Sequence, residues 1–189
     1  MAVTTDIVRS YRRPRHVFAG QLAQGSKERI ALAYLALAMI LGLVSQLPSV
    51  SRRANVSDPE LEAAIRAEAG NVRQIEDMTV PENMIDAKFE AFLSAELMVW
   101  LFILPLIFYG LSALSVWIVR LCRGQVAGVD ARLALFWALV VATPLKLLHG
   151  LVYGMIGPGA ALTAVGFLWC VIFLWNWSAN LREAGWASS

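Results

Sequence analysis

Long apolar runs alternate with short charged ones along this chain, and that alternation is its strongest signal. Residues 31–47, ALAYLALAMILGLVSQL, form the first run; Arg29 and Ile30 before it and residues 48–50 after it bring it to crossing length. A hydrocarbon layer about 30 Å thick needs about twenty apolar residues in a helix. The second run covers residues 92–121, FLSAELMVWLFILPLIFYGLSALSVWIVRL. It is longer than one crossing requires and too short for two with a turn, so one tilted helix bent near Pro105 is expected. The third starts near Leu133, continues to 156, and contains Pro144. The fourth covers 160–178, and Gly157-Pro158-Gly159 leaves only a tight turn between them. The predicted fold class is therefore all-α: a polytopic membrane protein with four transmembrane helices at about 31–50, 92–121, 133–156 and 160–178.

The polar remainder divides into two main parts. Residues 1–28 are a basic arm in which Ile7, Val8, Tyr11, Val17, Phe18 and Leu22 interleave with Arg9, Arg12, Arg13 and Arg15. Such a segment suits a helix lying among lipid headgroups, broken or restarted at Pro14; an unstructured arm is the alternative. Residues 51–90 form a polar loop with nine acids and five bases. Ser57-Asp58-Pro59-Glu60 predicts a helix start there, with Gly70 as its end, and Val80-Pro81-Glu82 predicts a second start running into the next span. Residues 29–184 make up the membrane domain and 185–189 a short tail.

Composition sharpens this picture. Of 189 residues, 58% are hydrophobic and only 16% charged, and the mean hydropathy is +0.60; a soluble domain carries about a quarter charged residues. The first 30 residues contain six Lys or Arg and no apolar signal core, so the first span is expected to be retained as an anchor. Placing the N-terminus in the cytoplasm leaves ten Lys or Arg inside and five outside, all five in the polar loop. The positive-inside rule then puts both termini in the cytoplasm. Trp137, Trp175 and Trp177 fall where interfacial aromatics belong. A formal charge of +2 is too small to suggest nucleic acid binding, and no nucleic acid partner is expected. Cys122 and Cys170 lack metal-ligand spacing and read as free thiols.

Three ionisable side chains lie inside the spans, Glu96, Lys146 and His149, and such groups are the first functional candidates in a bilayer. Lys146 and His149 share a helix face. A contact of either with Glu96 would make a polar cluster that fixes packing or lines a hydrated cavity. In the alternative, the lysine snorkels, the histidine bonds a carbonyl and the glutamate sits in the interface. Pro105 and Pro144 are expected kinks. Gly150 and Gly154 form a small-xxx-small surface, and Gly110 with Ser112 and Ser115 a second. No phosphate loop, zinc-protease helix, Ser-His-Asp set or paired intramembrane aspartate is present. No enzyme, metal or cofactor is therefore expected.

Residues 131–184, ARLALFWALVVATPLKLLHGLVYGMIGPGAALTAVGFLWCVIFLWNWSANLREA, with the opening DIVRSYRRPRHVF, resemble the bacterial branch of the Yip family. That is the Ypt/Rab-interacting-protein-like integral membrane domain. The resemblance implies a small helical membrane domain with a cytoplasmic N-terminus. The chain departs from eukaryotic members in lacking a long acidic N-terminal region and the Asp-Leu-Tyr-Gly-Pro motif, and it has four spans against the family's usual five. The expected role is a scaffold or organiser of membrane components, with membrane lipids and another membrane protein or a second copy as partners. The arm and residues 120–132 would contact anionic lipid or a cytoplasmic partner, and the acidic loop something on the far side. A small transporter using Glu96, Lys146 and His149 is the competing expectation.

Overall fold

The computed structural model describes residues 3–72 and 83–186. Among them there are only helices, turns and connecting segments, and four of the helical stretches are long and apolar enough to cross a membrane. Two short helices lead: α1 (Val3–Ser10) and α2 (Pro14–Leu22). Pro14 opens α2 because its fixed φ suits a first helical turn, where its missing N–H costs nothing. α3 (Lys27–Ala54) has Glu28 in its first turn and Arg52 and Arg53 in its last, matching the helix dipole at both ends.

α4 (Pro59–Val72) begins where Asp58 Oδ1 accepts the Leu61 N–H at 3.1 Å. It runs through Gly70 rather than ending there, since a single glycine weakens a helix without terminating it. The start expected at Val80-Pro81-Glu82 lies outside the described residues. α5 (Met84–Met98) is capped by Asn83, whose Oδ1 accepts the Ile85 N–H.

α5 continues through a π-helical turn, Val99–Ile103, into α6 (Leu104–Leu121). In that turn the Leu104 N–H donates to the carbonyl of Val99, five residues back. Pro105 follows directly, and a proline lacks a donor and clashes with the carbonyl one turn earlier. Widening the helix just before it absorbs the clash, so the irregularity expected at Pro105 is a π-turn on its N-terminal side. Arg123, two residues past the end of α6, has a left-handed φ of 62°. α7 (Gly128–Met155) and α8 (Ala160–Trp186) complete the chain, joined at Gly157 with φ of 94°.

α7 is the central helix. Residues 133–143 of it are buried without interruption, by α3, α6, α8 and the arm. α3 runs parallel to α7: Lys27 pairs with Asp130 at one end, and Arg52 reaches the Gly154 carbonyl at the other. α8 returns antiparallel, with Asn180 Nδ2 donating to the Ala134 carbonyl. In lipid the hydrophobic effect does not drive helices together, so close backbone approach must. Gly150 faces the Ser45 backbone, Gly154 faces Pro48, and Gly42 receives the Trp100 ring. Gly110, expected on such a surface, is exposed with nothing near it, because no helix lies over that side of α6. Its companions Ser112 and Ser115 are the ones that are buried.

α3 and α7 have 28 residues each. At 1.5 Å per residue that is about 42 Å, about 12 Å more than a hydrocarbon layer. A turn or two of each helix therefore emerges from the lipid.

Candidate functional site

Two polar assemblies stand out, at opposite ends of the bundle. Glu96 lies on α5 close to the last turn of α3. Its Oε1 accepts from Arg53 at 2.8 Å and its Oε2 from Trp100 Nε1 at 3.2 Å. Arg53 also stacks over Phe92, 4.9 Å from the ring centroid. Lys146 on α7 lies over the same indole, with Nζ 5.6 Å from the ring centroid. His149, one turn on, faces Gly166 of α8. The three expected residues thus occupy one region. Glu96 is bonded to Arg53 and Trp100, while Lys146 meets the cluster through the indole face. A cation over tryptophan is an attraction of about 2 kcal/mol when desolvated.

Nearby, outside the spans, Lys88 is 3% exposed and donates to the Val56 carbonyl at 2.8 Å and to Glu62 at 3.1 Å. This fastens α4 to α5. The hydrogen bond from Lys88 holds the Glu62 carboxyl below the usual carboxylate range.

At the other end the arm folds against the bundle. Trp137 Nε1 donates to Ser10 Oγ at 3.2 Å, and Ser10 Oγ donates to the Asp6 carbonyl. The Tyr11 hydroxyl donates to the Val141 carbonyl at 2.7 Å. Phe18, Ser10 and Gln21 are buried. Burial pushes the Tyr11 phenol up from its ordinary value. Trp137, expected at the interface, is 0% exposed because the arm and Tyr34 cover it. Trp175 does face outward, at 60%.

The arginines expected at headgroups, Arg9, Arg12, Arg13 and Arg15, are all exposed on the outside of the docked arm. Arg12, Arg13 and Arg15 line a cleft of about 400 Å³ with His16, Trp175 and Arg182. A second concavity, of about 930 Å³, lies between α1, α2 and α3 and takes in Asp6, Arg9 and Tyr34.

Several residues in these assemblies lay outside the sequence reading. Arg53 counts there as a loop charge, whereas the helix carries it to Glu96. Asn176 and Asn180, both fully buried on α8 four residues apart, were passed over in a search for ionisable groups alone. Each donates to a backbone carbonyl while its Oδ1 has no partner among the described residues. Among the described residues no three His, Cys, Asp or Glu side chains gather in a way that would hold a metal ion.

The sequence matches no family model, no curated protein and no solved structure.

Proposed function

We propose that this chain is a non-catalytic organiser of membrane components, of the Yip-like type, resident in a bacterial inner membrane with both termini in the cytoplasm. The observation that carries the reading is the docking of the arm. Tyr11 and Trp137 fix it to α7, so the basic end of the bundle is a preformed surface rather than a tail. A preformed surface binds without the ordering cost that a disordered segment incurs. At the opposite end Glu96 is neutralised by Arg53, which suits a structural role for that charge. Crosslinking in native membranes followed by capture tests the proposal. A discrete protein partner, or a second copy, should be recovered from the wild type and lost when Tyr11→Ala and Trp137→Ala release the arm. Recovery of lipid alone, or of a partner indifferent to the arm, removes the organiser.

A second reading, a small transporter, is favoured by one observation. The π-turn Val99–Ile103 places irregular backbone beside Trp100, Glu96 and Lys146, and π-turns recur at functional sites. Flux of protons or solutes into proteoliposomes, lost in Glu96→Gln or Lys146→Met, would establish it; no such flux discards it.

A further inference from the structure

We propose that the cleft between the α1–α2 corner and the C-terminal part of α8 is a binding site for the phosphate headgroup of an anionic phospholipid in the adjacent leaflet. Arg12, Arg13, Arg15 and His16 come from the arm and Arg182 from α8, around a cavity of about 400 Å³. Among the described residues, none of these four arginines takes part in a salt bridge, so their charge is free to meet an anion. Glu183 and Asp6 line the adjoining concavities but form no salt bridge with these arginines, so an anion in the cleft relieves the repulsion among four guanidinium groups that line it. Arginine is also the side chain whose planar fork matches phosphate oxygens two at a time.

The N-terminus of α2 opens at the same place. It carries no side-chain cap, so its first-turn N–H groups add to the positive field.

The ligand is identified as a lipid by what continues from the cleft. Phe167, Val171, Trp175, Ser178 and Arg182 follow one another at four, four, three and four residues along α8, and so share one face. Phe167, Val171 and Trp175 are exposed at 71%, 43% and 60%. That face is apolar up to Trp175 and polar from Ser178 onward. An acyl chain lying along the first half delivers its phosphate to the second. Trp175 at the change-over is the side chain expected at headgroup depth. A soluble phosphate would use the arginines but leave the apolar half of the stripe without a role.

The full-length chain in neutral detergent, titrated separately with phosphatidylglycerol, phosphatidylcholine and inorganic phosphate, tests this by native mass spectrometry. The wild type should bind phosphatidylglycerol in preference to phosphatidylcholine. Removing two arginines as Arg12→Gln with Arg182→Gln should weaken phosphatidylglycerol about twenty-five-fold, about fivefold for each charge. Phosphatidylcholine binding should not change. Arg29→Gln removes a charge at the same end of the bundle but outside the cleft, and should leave phosphatidylglycerol binding unaltered. Ser178→Glu keeps every arginine and puts a carboxylate into the cleft; it should abolish the preference even if the arginine variant does not fold. Equal binding of the two lipids by the wild type overturns the site, as does a loss of about fivefold in the Arg29 variant, the loss expected of one cleft arginine. Displacement of phosphatidylglycerol by inorganic phosphate reassigns the cleft to a soluble anion and overturns the lipid.

Discussion

The Tyr11 hydroxyl donates a 2.7 Å hydrogen bond to the carbonyl of Val141, a residue 130 positions away in the middle of the central helix. Pro144 deprives the Val140 carbonyl, four residues back, of its helical donor, and leaves Val141 with the N–H of Leu145 as its own. The Tyr11 bond therefore ties the arm to α7 without replacing the donor that the proline removes.

Removing that bond should loosen the arm without dissolving the bundle. Tyr11→Phe is expected to cost about 1 kcal/mol, and Tyr11→Phe with Trp137→Phe about 2 kcal/mol, as lost net hydrogen bonds. The measurement is the rate of tryptic cleavage after Arg12 and Arg15 in membranes. Rates equal to wild type in the double variant would mean that the two bonds do not hold the arm.

The same phenol makes docking sensitive to high pH. Burial raises the Tyr11 pKa above its unfolded value of about 10. A raised pKa means that the neutral form is the one favoured by folding. The contribution is complete below the unfolded pKa and disappears as pH rises through the higher folded one. The phenolate also has no proton to donate to Val141. Protease exposure of the arm should therefore rise above about pH 10. The Tyr11→Phe variant should lack that step, and an identical pH profile in both proteins would exclude Tyr11 as its source.

How far such relationships can be read from sequence depends on the physics behind them. The crossings were legible because lipid demands long uncharged runs, and residues 31–50 and 160–178 supply them with little else to explain. The parallel pairing of α3 with α7 follows from there being one crossing between them. The docking of the arm was not legible. Ser10 and Tyr11 are ordinary amphipathic residues, and only the buried partner Trp137 gives them meaning. The Glu96 cluster was half legible. Charge inside a span marked the glutamate, but its partner Arg53 belongs by composition to a polar loop and by geometry to the last turn of α3.

Glu96 should therefore couple to Arg53 more strongly than to Lys146. Both members of the pair keep some exposure, 39% for Arg53 and 16% for Glu96 side chains, so screening holds the coupling to about 1 kcal/mol. A double-mutant cycle of Arg53→Gln and Glu96→Gln in an unfolding assay should show that non-additivity. The Glu96→Gln and Lys146→Met cycle should be closer to additive. The reverse order would place the lysine as the true partner.

The close approach of α3 and α7 sets a steric limit. A Cβ at position 150 would collide with the Ser45 carbonyl, and backbone has no alternative rotamer to retreat to. Gly150→Val should cost about 3 kcal/mol, at the upper end for overpacking. Gly110→Ala meets open space and should stay within about 1 kcal/mol of wild type. Thermal unfolding in detergent distinguishes them, and equal stability of the two variants would deny the tight α3–α7 contact.

The two exposed cysteines offer a test of sidedness. Cys122 follows α6 at the end of the bundle where the arm docks, while Cys170 lies within α8. A membrane-impermeant maleimide needs water and a thiolate, both scarce beside hydrocarbon. Cys122 should react and Cys170 should remain unmodified until detergent is added. With both termini in the cytoplasm, Cys122 should react in inverted vesicles and resist in intact cells. Labelling in intact cells would reverse the orientation and place the basic cleft in the opposite leaflet. The four crossings would stand, but the charge asymmetry on which the orientation rests would have misled.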